Sequence, residues 1–206
     1  GFVYASPEIQ AECYSMSDEG AIVRFSSQLI ELLNDDELSF VVGHEFGHFL
    51  LGHSCIKNIG EYPSFEMLMG HRSGEISADR IGLIACQSID SAVRAMIKTS
   101  SGLSSKYLRF DSHAFLKQLN NTSTLQKRYN QMLTHPSMLI RCRALLWFSL
   151  SIDLSRLLNT SYEPDTSEID ERIIKDLRKY VDGPARKCIE HEKQNYALWF
   201  AAEEII

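Results

Sequence analysis

The segment VVGHEFGHFLLGH, residues 41–53, combines apolar side chains that suit a buried helix with three histidines and a glutamate. An unpaired polar group in an apolar core costs about 2–7 kcal/mol, so these polar residues need partners or a function. His44 and His48 are four residues apart, which places both on one face of a helix, about one turn apart. Two imidazoles in this arrangement can bind one zinc ion from the same side.

Glu45 lies at the edge of the same helical face, next to His44. From there its carboxylate can reach a zinc-bound water without being a ligand. Zinc lowers the pKa of such a water to about 7, and a neighbouring carboxylate can take the proton and pass it to a leaving amine. Chance HExxH matches usually fall on exposed, charged helices. This one is apolar and contains Gly43, Gly47 and Gly52, which permit close approach by another backbone.

A catalytic zinc site needs a third protein ligand, and the segment GEISADRIG supplies candidates. Glu75 and Asp79 are four residues apart on an apolar helix, where two buried carboxylates repel unless a cation compensates them. We assign Glu75 to the metal and Asp79 to a hydrogen bond with His44, which would fix the ring orientation of that ligand. The alternative is an exposed helix on which Asp79 pairs with Arg80. His53 is not required as a ligand, and we expect it to end the first helix.

A third signal is the segment THPSMLIRCRALLWF, residues 134–148. His135 precedes a proline at a constrained bend, and Arg141 follows in the first turns of a buried helix. A metallopeptidase needs donors that face the oxyanion of the tetrahedral intermediate, and either residue could serve. The alternative is that the His-Pro segment is an ordinary connecting loop without a catalytic role.

The spacing of apolar residues along the chain predicts the strands and helices that position these residues. Segments 2–16 and 21–25 are separated by a turn signal and predict a hairpin or two adjacent strands. Asn34 can cap a helix from about Asp35 to about Gly52, with Glu37 completing a capping box. We therefore expect an α+β fold, mainly helical with a small N-terminal antiparallel sheet. Further helices are predicted at 73–88, 138–152, 168–181 and 185–206.

The amino-acid composition and net charge argue against some classes of partner. Hydrophobic residues make up 44% of the 206 residues and charged residues 23%, which indicates a globular chain. The net charge of -6, without a run of lysines and arginines, argues against nucleic acid or an anionic membrane surface as partner. No apolar run approaches the ~20 residues of a membrane span.

The cysteine pattern bears on the compartment. Five cysteines, an odd number without a CxxC motif, predict free thiols in a reducing compartment. We therefore expect a cytoplasmic protein, with a removed upstream anchor or targeting segment as an open alternative.

Three blocks together resemble the HtpX-like gluzincin zinc metallopeptidases, relatives of the CAAX prenyl endopeptidases. The blocks are residues 18–53, 75–86 and 134–145, in the expected order, and the resemblance spans roughly residues 2–150. It implies a gluzincin-type fold with an HExxH active-site helix and one zinc ion per chain. We therefore expect a zinc metallopeptidase domain at 1–155. The resemblance does not reach the remainder, where the sequence pattern predicts a helical C-terminal extension at 156–206.

The resemblance also implies roles for individual residues. The zinc ligands would be His44, His48 and Glu75, with Glu45 as catalytic base and Asp79 as support for a ligand. His135 and Arg141 would face the zinc, and in some relatives the histidine caps the metal and holds the enzyme latent.

The function implied is a zinc-dependent endopeptidase acting on protein or peptide substrates. The membrane helices of the namesake enzymes have no counterpart here, which suggests a short soluble branch. One alternative is an ImmA-like repressor-cleaving peptidase, against which the ADR after Glu75 and the His-Pro block argue. Another is a zinc-bound inactive protein-binding or chaperone module, which would have no need of Glu45. Gluzincins carry an edge strand above the zinc helix, so Ala21–Phe25 is predicted to pair with an extended substrate; alternatively, this strand is internal or covered.

Overall fold

The computed structural model describes residues 1–16, 20–53, 64–108, 138–151, 154–155, 166–179 and 183–203. The described part is mainly helical with one small sheet, which confirms the predicted fold class. Its strands are β1 (Phe2–Tyr4), β2 (Ala11–Met16) and β3 (Gly20–Ser26). Its helices are α1 (Ser27–Leu32), α2 (Asp35–Leu50), α3 (Phe65–Cys86), α4 (Ile89–Ser101), α5 (Met138–Ser149), α6 (Thr166–Lys179) and α7 (Gly183–Glu203).

The sheet has the strand order β1-β3-β2. Strands β2 and β3 form the predicted antiparallel pair, whereas β1 runs parallel to β3, so the sheet is mixed rather than antiparallel throughout. The prediction of an available edge at Ala21–Phe25 is wrong, because β3 is the central strand and pairs on both sides. Alternation along a strand reports which side chains face the core, but it does not report which neighbours the strand pairs with.

Residues next to the two ends of helix α2 fix where it begins and ends. The side chain of Asn34 accepts a hydrogen bond from the backbone N–H of Glu37 at 2.9 Å, and Glu37 accepts one from Asn34 N–H at 3.0 Å. This confirms the capping box. The helix ends at Leu50, two residues before the predicted end, and Gly52 adopts a φ of +69° that favours glycine. Helix α3 begins at Phe65, earlier than predicted.

Helices α2 and α3 pack with their backbones unusually close together. A Cβ atom on Gly43 would lie 2.9 Å from the Cα of Gly82, and one on Gly47 would lie 3.1 Å from the Cα of Ala78. No side chain larger than hydrogen fits at Gly43 without displacing α3. The small residues therefore bring the histidine-bearing face of α2 directly against α3.

The core lies where the sheet and helices α1 to α5 meet. Its buried side chains include Phe25, Leu29, Phe40, Leu83, Val93 and Leu145. The four cysteines in the described ranges, Cys13, Cys86, Cys142 and Cys188, form no disulfide with one another. None of the helices in those ranges has the length and apolar character needed to cross a bilayer.

The C-terminal helices pack against the helices of the predicted metal site. Ile169 and Ile173 of α6 are buried in one cluster with Ile76 of α3 and Ile140 of α5. On α7, the side chain of Glu192 accepts a hydrogen bond from the first backbone N–H of α3 at 2.8 Å. The division of the chain at residue 155 stays a prediction.

Candidate metal centre

Three potential ligand atoms converge between α2 and α3. His44 Nε2 lies 3.1 Å from His48 Nε2, and the Glu75 carboxylate lies 3.7 Å from the first nitrogen and 3.3 Å from the second. His44 and Glu75 are buried, and His48 is half-buried. The i,i+4 spacing places both imidazoles on one face of α2, and the glycine contacts between the helices bring Glu75 opposite them.

The donor set and its spacing fit a tetrahedral metal ion. Zinc in proteins binds imidazole nitrogen and carboxylate oxygen at about 2.0–2.2 Å, which places tetrahedral ligand atoms about 3.3–3.6 Å apart. The two histidine Nε2 atoms are 3.1 Å apart, and Glu75 Oε2 lies 3.7 Å from His44 Nε2 while Glu75 Oε1 lies 3.3 Å from His48 Nε2, all close to that range. His44, His48 and Glu75 could therefore hold one metal ion with little rearrangement.

Asp79 lies behind the first histidine, as predicted. Its carboxylate is 3.0 Å from His44 Nδ1, the nitrogen that faces away from Glu75. The two atoms are close but are not in hydrogen-bond geometry. Asp79 is buried, and the neighbouring Arg80 forms an ion pair with Asp170 of α6 instead. The alternative of an exposed Asp79–Arg80 pair is therefore excluded.

Arg141 contacts the carboxylates of both Glu75 and Asp79. Its Nε and Nη2 atoms donate to the two oxygens of Asp79 at 2.8 and 2.6 Å, and its Nη1 atom lies 3.2 Å from Glu75. The two carboxylates required a compensating cation on electrostatic grounds, and Arg141 supplies a fixed one. The sequence pattern made this arginine a candidate for the oxyanion and carried no signal for its contact with Asp79. The oxyanion role stays a prediction, and His135 lies outside the described residues.

Residues 2–70 match the family model of Peptidase family M48. The predicted resemblance is confirmed. This M48 match ends five residues before Glu75, so it covers both histidines and Glu45 but not the third proposed ligand.

The chain is also similar to a protein described as a metallopeptidase. The chain is 26% identical over 192 residues to the "Plastoglobule-localized metallopeptidase 48, chloroplastic" of Arabidopsis thaliana. The alignment covers 80% of this chain and 56% of that relative, so the chain spans little more than half of its length. No solved structure matches the chain. Together the M48 match and this relative support a metallopeptidase, while the cytoplasmic location stays a prediction.

The electrostatics of this M48-like site favour a bound cation. Burial raises the pKa of the Glu45 carboxyl, against the lowering effect of both histidines. Burial works to lower the pKa of His48, but the adjacent Glu75 outweighs it and raises that pKa. Burial would likewise raise the pKa of Asp79, yet the charge and hydrogen bonds of Arg141 hold it below its usual range. Three carboxylates thus face one guanidinium, and a divalent cation would balance the excess negative charge.

Strand β2 packs against α2, the helix that carries His44, Glu45 and His48. Burial raises the pKa of the Cys13 thiol on this strand, and the negative charge of Glu45 raises it further. Both β1 and β2 are outer strands of the described sheet, whereas β3 lies between them.

Proposed function

We propose that this chain is a zinc-dependent endopeptidase, with His44, His48 and Glu75 as metal ligands and Glu45 as general base. The observation that carries the proposal is the convergence of three ligand atoms within 4.8 Å of one another beside Glu45. The M48 match over the histidine helix supports the same assignment. Protein or peptide substrates follow from a peptidase activity.

The metal and Glu45 would divide the chemistry between them. A bound zinc ion would supply a Lewis acid that acidifies water and polarises the scissile carbonyl. Glu45 would accept a proton from the attacking water and deliver it to the leaving amine. Glu45 is half-buried and burial raises the pKa of its carboxyl, a shift in the direction that makes a carboxylate a better proton acceptor.

Asp79 and Arg141 would keep the ligands in place. Asp79 would orient the His44 ring from its outer nitrogen, while Arg141 would balance Asp79 and steady the Glu75 carboxylate. Outer contacts of this kind raise ligand basicity and fix ring orientation. His135 and Arg141 remain candidates for contact with the substrate oxyanion, as the family resemblance implies.

The activity can be tested by metal removal and reconstitution. We expect the purified chain to cleave an unfolded protein such as casein, to lose that activity after treatment with 1,10-phenanthroline, and to regain it with about one equivalent of zinc. Mass spectrometry of the fragments would report internal cleavage. A zinc-loaded chain that cleaves neither casein nor a peptide library would overturn the endopeptidase proposal and favour the inactive binding module.

Replacing Asp79 by asparagine should weaken zinc binding by about 10–100-fold. Asparagine keeps the shape of the side chain but removes the charge that faces His44. Alanine is avoided because it would remove both of the oxygens that accept from Arg141, whereas asparagine keeps one of them. Zinc affinity would be measured by competition with a chromogenic chelator.

Asp170→Asn is the matched control for this change. It removes the carboxylate partner of Arg80, which adjoins Asp79 in sequence but pairs with α6. The control should keep the affinity of the unaltered chain. Equal affinities in all three proteins would show that Asp79 does not support the metal site.

A further inference from the structure

A third histidine, His53, contacts the candidate ligand His48. Helix α2 ends at Leu50, and the positive φ of Gly52 turns the chain so that His53 comes back over the helix end. His53 Nδ1 lies 3.0 Å from His48 Nδ1, with the ring centroids 5.2 Å apart and the rings steeply inclined at 68°. His53 is therefore within hydrogen-bonding distance of His48.

The two nitrogens of His48 face different groups. Its Nε2 atom lies near His44 and Glu75, and its Nδ1 atom lies near His53. A neutral imidazole that binds a metal through Nε2 carries its proton on Nδ1 and needs an acceptor there. His53 Nδ1 can accept that proton's hydrogen bond when its own proton is on Nε2.

Helix α3 leaves room for the His53 ring. The ring lies against Gly74, where a Cβ atom would be 3.4 Å from His53 Nδ1 and 3.5 Å from its Nε2. A methyl group at this position would touch the ring, and a branched side chain would occupy its place. Gly74 directly precedes Glu75, so the backbone that presents the third proposed ligand also supports the His53 ring.

We infer that His53 is a positioning residue, which holds His48 in the tautomer and ring orientation that bind metal through Nε2. The inference rests on the proposed zinc site. The two histidines of that site would then have different outer partners: a carboxylate, Asp79, behind His44 and an imidazole, His53, behind His48. His53 itself would not bind the metal, since its nearest nitrogen faces the outer side of His48.

The test compares His53→Ala with His53→Asn. We expect His53→Ala to lower zinc affinity by about 10–100-fold. Asparagine places its side-chain oxygen where the histidine has Nδ1, so His53→Asn should restore most of the affinity. The visible spectrum of the Co²⁺-loaded proteins should shift in His53→Ala and return toward that of the unaltered chain in His53→Asn.

A second pair of variants displaces the His53 ring without changing a histidine. Gly74→Val should lower zinc affinity in the same direction, whereas Gly70→Val should not, because a Cβ on Gly70 meets nothing within 4 Å. The thermal unfolding of the metal-free proteins would show whether each variant folds.

The outcomes separate this inference from the proposed function. Unchanged zinc affinity and an unchanged Co²⁺ spectrum in folded His53→Ala would overturn the positioning role alone. Equal losses in His53→Ala and His53→Asn would also overturn it, since the acceptor would then not matter. An unaltered chain that binds no zinc would overturn the proposed function, and the role of His53 with it.

Discussion

Replacing Glu45 by glutamine should lower kcat for peptide hydrolysis by about 10²–10⁴-fold while zinc stays bound, the usual contribution of a general acid–base group. Glutamine has nearly the same shape but cannot accept a proton from water. Glu45 adjoins His44 in sequence, yet the ligand cluster consists of His44, His48 and Glu75. Steady-state kinetics on a fluorogenic peptide and metal analysis of the same preparation would measure both quantities.

The matched control is Glu31→Gln, which makes the same change at an exposed glutamate of α1. It should leave kcat and zinc content as they are in the unaltered chain. If Glu45→Gln instead loses its zinc, Glu45 holds the metal site together and is not the base. A full turnover rate in zinc-loaded Glu45→Gln would also contradict the proposed role.

Replacing His44 and His48 together by alanine should reduce bound zinc from about one ion per chain to almost none. The double change removes two of the three proposed ligands, and Glu75 alone cannot replace their bonds. Metal content after extensive dialysis, measured by atomic emission, would report the stoichiometry. Peptidase activity should disappear in the same protein.

His191→Ala serves as the histidine control for this experiment, because His191 lies on α7 and is not a member of the ligand cluster. It should retain about one zinc ion. Stoichiometric zinc in a folded His44→Ala/His48→Ala protein would place the metal elsewhere in the chain.

The sequence by itself determined the local features of the metal site. The four-residue spacings of His44 with His48 and of Glu75 with Asp79 fix which side chains share a helical face, because the α-helix has 3.6 residues per turn. The capping box of Asn34 was equally readable, since its two hydrogen bonds join residues only three apart. Interactions within one or two turns depend on local geometry, which the sequence pattern encodes directly.

The tertiary structure determined the contacts between residues that are far apart in the sequence. Arg141 reaches Asp79 across 62 positions of the chain, and the order of the three strands depends on how the chain crosses over. His53 gained its contact with His48 because Gly52 reverses the chain and Gly74 leaves space on another helix. Such contacts depend on packing and on the path of the backbone, and no periodicity in the sequence reports them.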